Sequence, residues 1–486
     1  MMRYINSRTC KNPLWRLLLL CFMMLFTGLA GSDLKGQKKK AEEEKPNIIL
    51  VVADDMGWGD LGIHNEGVHT PHLNAFFKES VELESFYTAP SCTPTRMGLL
   101  TGKYPDRMGF GFNTGVIHAN TRGGIPSEET TLPEVLGENG YEKRACIGKW
   151  HLGHSNVQYH PLNNGFTEFY GSYGGQVDYF DRTKRNQLDW HSDFDASYDV
   201  GYTTDLIGNA ACGFLREVGK EKSEDPFFMY VAFTAPHEPL MAKREDLIQA
   251  GFEDQEPLYA LPNDSLRSER GRTRGRGNNK RQTYKAMLTS MDESIGNLLI
   301  TLQQEGLAEN TIVLFMSDNG GAEKKGGYNK PLRAGKGSFY EGGIHVPAAI
   351  RWPAGGFTSG KSTGLVSFVD VLPTLCDLVG VKLKKLEGKL DGFSARRIIE
   401  NDGKGFEDRI FYIGLNSLIQ GHWKLAYGEL YNLAEDPNER VKLNEKNPEK
   451  LKELQRLEAI LSKQIHQKVN RPHDFTVEHE WKMPTN

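Results

Sequence analysis

The chain has 486 residues, with 59 Lys+Arg against 63 Asp+Glu and a formal net charge of -4. That length exceeds what one small core accommodates and points to a large domain plus a smaller one. The near-balance of charge excludes a global pull toward nucleic acid or anionic membrane, so any recognition of an anion is local.

In chain order, Arg3, Arg8, Lys11 and Arg16 precede the apolar run "LLLLCFMMLFTGLA", and small residues come next in "LAGS". Residues 1–32 read as a signal peptide, because the run falls short of the ~20 apolar residues that a membrane-spanning helix needs. The expectation is an exported protein, periplasmic or secreted, without stable membrane insertion. Residues 33–45, with "KGQKKKAEEEK", read as a charged, solvated linker. Beyond the leader the cysteines are Cys92, Cys146, Cys212 and Cys376, too few for a disulfide scaffold of this size. With Cys92 committed to chemistry, at most one bridge can form.

Four apolar runs stand out: "NIILVVADD" (47–55), "EKRACIGKWH" (142–151), "PFFMYVAFTAPH" (226–237) and "TIVLFMSDN" (311–319). Their alternation with helical patterns predicts an α/β domain around a largely parallel sheet. Each run ends in polar groups. In open α/β sheets the ligand crevice lies beyond the carboxyl ends of the strands, so Asp54, Asp55, Lys149, His151, His237, Asp318 and Asn319 are expected to converge. Between the first two runs, "SCTPTRMGLLTG" (91–102) reads as a helix entrance: Pro94 suits an early helical position, and Thr93 or Ser91 is placed to cap free amides. A cysteine there, with Arg96 nearby, faces a place suited to an anion.

Further along, "NNGFTEFYGSYGGQVDYF" (163–180) and Trp190 combine aromatic faces with polar groups that suit a pyranose, while part of this set belongs to the core. "RSERGRTRGRGNNKRQ" (267–282) reads either as a loop embracing an anionic polysaccharide or as a disordered solvated loop. "VSFVDVLPTLCDLVGV" (366–381) is an amphipathic helix pattern closing the large domain. The runs of 409–436, split by Gly and Asn, predict an antiparallel meander, and 447–465 a helix with leucines at core spacing.

The string "CTPTRMGLLTG" resembles the signature of the type I sulfatases, in which the cysteine is oxidised to formylglycine. "VVADDMGWGDLG", "GKWHLGH", "APHEPL", "SDNGG" and "LRAGKGSFYEGG" occur in that family's order. The spacing, and "MDESIGNLL" after "HEPL", look closest to arylsulfatase B-like and bacterial polysaccharide sulfatases. The resemblance implies an alkaline-phosphatase-like fold: a mixed, largely parallel sheet flanked by helices, with a smaller C-terminal α+β subdomain containing an antiparallel sheet. It divides the chain into a catalytic domain, 46–385, and a C-terminal subdomain, 386–486.

The same resemblance assigns roles. Asp54, Asp55, Asp318 and Asn319 match oxygen ligands for a divalent cation, joined by the residue at Cys92, and an all-oxygen protein set suits calcium. Formylglycine at position 92, hydrated to a diol, would attack sulfur with one hydroxyl; loss of a proton from the other would expel sulfate. His151 matches the base of that second step. Arg96 and Lys149 match residues that hold the formylglycine, and His237 and Lys336 those that bind sulfate and protonate the leaving alcohol. The implied partners are a sulfated oligo- or polysaccharide, from algal polymers such as ulvan or carrageenan or from glycosaminoglycans, and a formylglycine-generating enzyme, with no nucleic acid. A phosphomonoester or phosphonate hydrolase of the same superfamily, or a non-catalytic glycan-binding relative, stand as alternatives.

Overall fold

The computed structural model describes residues 44–111, 116–117, 123–223, 225–252, 275, 277 and 279–465. The expected leader, nearly all of the linker and most of the Arg-rich stretch lie outside the described residues. No helix among the described residues is long and apolar enough to cross a membrane.

A ten-stranded sheet organises the chain from Lys45 onward. Its centre is five parallel strands in the order Glu168–Ser172, Lys143–Lys149, Phe227–Ala232, Asn47–Ala53 and Thr311–Ser317. Beyond Thr311–Ser317 the sheet turns mixed, with Ala348–Arg351 antiparallel to it and Val81–Leu83 antiparallel to that strand. The central strands read as unbroken apolar runs because both faces are covered. Ile48, Leu50 and Val52 enter one core, while Ile49, Val51 and Ala53 enter the other.

Helices supply each cover. Thr203–Glu221, Lys280–Gln304 and Pro71–Lys78 pack on one face through Ile207, Leu215, Met287, Ile295, Leu73 and Phe77. Cys92–Thr101, Leu132–Gly137 and Val371–Leu378 pack on the other through Met97, Leu100, Leu136, Leu372 and Leu375. The closing segment thus contains a shorter helix than its pattern suggests, since Val366–Ser367 pairs with Phe86–Tyr87 as a strand. Leu386, Ala395, Ile398 and Ile399 belong to this second core as well.

The expected meander is present as Ile410–Tyr412, Leu418–Gln420, Trp423–Ala426 and Glu429–Asn432, all antiparallel. The helix Pro448–Ile465 lays Leu454 against Leu418, Leu425 and Leu430. A third cluster, with Tyr87, Tyr104, Phe339 and Phe368 against Phe411, Ile413 and Ile419, ties this sheet to the rest.

Candidate active site

Four of the parallel strands deliver their last residues to one edge. Register pairs Ala53 with Ser317 and Val52 with Ala232, so the segments leaving these strands emerge side by side. The Asp318 amide donates to the Ala53 carbonyl at 3.0 Å, the Asp54 amide to Ala235 at 3.1 Å, and the Asp55 amide to Asp318 Oδ1 at 3.2 Å. Gly148, one residue before Lys149, has φ +105°, and a Cβ there would fall 2.0 Å from the Ala232 carbonyl oxygen. Only glycine allows that approach. Asp55 (φ 68°) and His151 (φ 57°) also occupy the left-handed region, a strain tolerated where the fold fixes the conformation.

Cys92 is the first residue of the buried helix Cys92–Thr101, with Ser91 as N-cap. The expected side-chain cap is absent: Ser91 makes none, and Thr93 turns its hydroxyl elsewhere. Thr93 Oγ1 accepts from the Ile117 amide at 3.2 Å and lies 3.3 Å from His151 Nδ1. Cys92 Sγ is also 3.3 Å from that Nδ1. His151 Nε2 meets the Ile117 carbonyl oxygen at 2.8 Å, and a carbonyl only accepts, so the hydrogen sits on Nε2. The Nδ1 lone pair therefore faces residues 92 and 93.

Three buried carboxylates are matched by three cations. Lys149 Nζ donates to Asp54 Oδ2 at 2.5 Å, and Lys336 Nζ to Asp55 Oδ1 at 2.5 Å. Arg96 donates to Asp318 Oδ2 from Nε at 3.0 Å and Nη2 at 2.8 Å, and from Nη1 to the Lys149 carbonyl and Tyr230 Oη. Its guanidinium is thus a strut under Asp318 and the end of the Lys149 strand. His237 Nδ1 meets the Glu238 carbonyl oxygen at 2.6 Å, leaving Nε2 3.8 Å from Asp55.

These charges divide the titrations. Burial and the Asp318 carboxylate raise Asp54 to about 8 despite Lys149. Burial alone would raise Asp55 too, but Lys336 and His237 outweigh it and hold its carboxyl well below the usual range. Burial and Lys336 push His237 down to about 3; burial and Lys149 hold His151 well below its ordinary value. Both imidazoles are neutral at pH 7. Burial also pushes the Cys92 thiol up, outweighing the lysines around it, so the sulfur stays protonated and is a poor nucleophile as it stands.

The donor set fits a hard divalent cation. Asp54 Oδ1 and Asn319 Oδ1 are buried without a hydrogen-bond partner. Asp54, Cys92 and Asp318 offer atoms within 4.8 Å of one another, as do Asp54, Asp55 and His237. Asn319 Nδ2 donates to Asp55 Oδ1 at 2.8 Å, which fixes the amide beside the carboxylates.

All the candidates read from the strand ends converge, together with Cys92, Arg96 and Lys336. The aromatic candidates for sugar contact do not: Trp190, Phe166, Phe169, Tyr173 and Tyr179 are buried in the core, and only Tyr170 and Phe180 are half-exposed. Cys92, Cys146, Cys212 and Cys376 are all free, so no bridge forms among them. Thr93, Ile117 and Tyr230 enter the site unforeseen. Thr93 stood inside the cysteine motif, but a backbone carbonyl and a mid-strand tyrosine carry no signal.

Comparison with known proteins matches the Sulfatase family to residues 46–381. Rat N-acetylgalactosamine-6-sulfatase is 35% identical over 364 residues, covering 70% of this chain and 63% of that protein, so the chain spans under two thirds of that relative. Mouse arylsulfatase J is 31% identical over 372 residues, covering 74% of this chain and 57% of its own. The crystal structure of Ps i-CgsB superposes with a TM-score of 0.75 at 29% identity, covering 87% of this chain and 94% of that one, and it is also solved in complex with k-i-k-neocarrahexaose.

Proposed function

Because this chain belongs to the sulfatase family, we propose that it is an exported, calcium-dependent sulfatase that hydrolyses sulfate esters of a sulfated carbohydrate through formylglycine at position 92. The observation that carries this reading is the setting of Cys92. An uncharged sulfur stands at a helix start, beside a neutral histidine and a carboxylate cluster with unengaged oxygens. A thiol so placed gains little by reacting itself and much by being converted.

Asp54, Asp55, Asp318 and Asn319 would hold calcium, which would supply Lewis-acid polarisation of a sulfate oxygen, and formylglycine at position 92 would, when hydrated, offer one hydroxyl for attack and a second for release of sulfate. The chain's own groups do the rest. His151 accepts a proton at Nδ1 from residue 92, and its Nε2–H bond to Ile117 keeps that lone pair in place. Thr93 holds the same nitrogen from the side. Lys336 binds the sulfate oxygens, and His237 donates to the departing alcohol, its pKa lifted when an anion enters beside it. Arg96 fixes Asp318 and, through the Lys149 carbonyl, the strand end.

Charge supports an anionic substrate. Before any ligand arrives the site already carries no excess of negative charge, since Arg96, Lys149 and Lys336 face Asp318, Asp54 and Asp55 and Asp54 holds a proton up to about pH 8. A divalent cation then leaves an excess of positive charge that sulfate neutralises. Two of the relatives, an N-acetylgalactosamine-6-sulfatase and a protein solved in complex with k-i-k-neocarrahexaose, support a sulfated sugar as the substrate, and carrageenan or glycosaminoglycan oligosaccharides are the proposed classes. A formylglycine-generating enzyme is the maturation partner, 46–385 the catalytic domain and 386–486 the C-terminal subdomain, whose Leu386, Ala395, Ile398 and Ile399 pack into the core of the catalytic domain.

The test is a panel of sulfated sugars and their phosphate isosteres, given to protein matured with a formylglycine-generating enzyme. Calcium-dependent release of sulfate, with phosphate release far slower, is expected. Preferential phosphate or phosphonate hydrolysis contradicts the reading.

A further inference from the structure

Behind His151 lies a cavity of about 140 Å³ lined by Ile117, His154, Gly174, Lys184, Arg185 and Asp189, among others. It shares a wall with the reaction centre. Ile117, whose carbonyl accepts from His151, is one of its lining residues, and a Cβ on Gly175, next to Gly174, would strike the His151 ring at 2.3 Å.

Two of its cations stand unpaired. Thr183–Lys184 and Gln187–Leu188 form a hairpin whose turn is Arg185 and Asn186, both at positive φ (51° and 65°). A turn of this type favours Asn or Gly at both central places, yet an arginine holds the first. Among the described residues, neither Lys184 Nζ nor the Arg185 guanidinium makes an ion pair or hydrogen bond, although Lys184 is half-buried. Asp189, the carboxylate in the cavity wall, accepts from the Tyr173 and Gly174 amides at 2.9 Å each. It is therefore occupied in holding the loop under His151. Burial lowers Lys184 from its ordinary value in spite of Asp189, so an anion there would relieve an existing cost.

The geometry points to a second anion subsite, formed by Lys184 and Arg185 on this hairpin, that takes a further sulfate ester or carboxylate of the same saccharide whose first sulfate sits at residue 92. This rests on the sulfatase reading and adds a substrate class to it: sugars with two anionic groups within reach of one another. No covalent step is involved.

Five probes test it: N-acetylgalactosamine 6-sulfate, its 4,6-disulfate, a disaccharide pairing the 6-sulfate with a uronate, and two carrageenan oligosaccharides differing by one sulfate. Binding is measured by calorimetry on the Cys92→Ser chain, and turnover on the matured chain, each with and without Lys184→Ala/Arg185→Ala. Loss of charge-assisted contacts should raise KM and Kd for a doubly charged probe about tenfold or more, with less than about threefold change for its singly charged counterpart. The sulfate and uronate arms identify which anion is read. Lys184→Arg should restore most of the preference, and an unchanged melting temperature shows that the variants fold. Equal losses on singly and doubly charged probes overturn the subsite, as does a parent chain that prefers no doubly charged probe. If no probe releases sulfate but the parent still binds the doubly charged ones more tightly than the variant, the subsite stands and the sulfatase reading fails.

Discussion

Two clusters of buried charge lie along the segment from Lys336 to Glu341, and they are built to opposite ends. Around Lys424, every carboxylate oxygen has a cation or donor close by, Glu439 Oε1 through its ion pair with Lys424 and without a well-aligned hydrogen bond. Lys424 Nζ sits 2.7 Å from Glu341 Oε1 and 2.8 Å from Glu439 Oε1; Tyr87 Oη and His345 Nδ1 reach Glu341 Oε2; the Glu341 amide donates to Glu439 Oε2 at 2.7 Å. At the strand ends, by contrast, Asp54 Oδ1 and Asn319 Oδ1 are left over, and neighbouring Asp54 and Asp55 are driven in opposite directions. A closed cluster holds the C-terminal sheet against the loop that carries Lys336. An open one keeps donors in reserve for something that arrives later.

Substitutions should separate the two. The largest effect is expected at Cys92: Cys92→Ala should lower turnover by more than about 10⁴-fold while leaving the melting temperature nearly unchanged, because the residue is a reacting group and not a packing anchor. Sulfate release and a thermal scan on the same preparation decide this. Next comes Lys424→Met, which leaves two buried carboxylates facing each other and should cost about 3–5 kcal/mol of stability. Turnover per folded molecule should change far less, and a large loss of turnover at full stability would mean that the closed cluster takes part in chemistry.

Asp54→Asn is the counterpart in the open cluster. Since Asp54 already holds a proton up to about pH 8 in the metal-free chain, the amide should cost less than about 1 kcal/mol without calcium. The stabilisation calcium gives the parent, about 3 kcal/mol at a hundredfold excess over Kd, should disappear. Thermal scans with calcium and with chelator measure both.

The smallest effect is a pH dependence. Asp54 is raised from 3.8 to about 8. Its contribution to the metal-free fold is therefore present in full below its ordinary value and lost as pH rises through about 8. Calcium must displace that proton, so its affinity should climb by up to about tenfold per pH unit below about pH 8 and then level off. Calorimetry in buffers of different ionisation heat would detect the released proton; a flat affinity contradicts the assignment of Asp54 as a ligand.

Much of the site was legible because strand ends are. Asp54, Asp55, Asp318 and Asn319 come directly after apolar runs that the sheet aligns in parallel, and the cysteine motif identifies its own helix start. What the sequence conceals is arrangement at a distance. Nothing in "DRTKRNQLDW" announces that Lys184 and Arg185 turn toward a cavity behind His151, or that Trp190 in the same stretch is core. The closed cluster is equally hidden, since Glu341, Lys424 and Glu439 come from three separated segments and meet only through tertiary packing. The cap expected from Ser91 or Thr93 failed for a local reason, as Thr93 is drawn off by Ile117 and His151.

The most direct measurement labels residue 92. Protein co-expressed with a formylglycine-generating enzyme is treated with an aldehyde-reactive hydroxylamine, digested, and assayed by peptide mass alongside sulfate release from a sulfated sugar. Labelling confined to the peptide containing position 92, with turnover proportional to the fraction converted and abolished by chelation, is the expected result. Full turnover by chains that still carry the Cys92 thiol would contradict it.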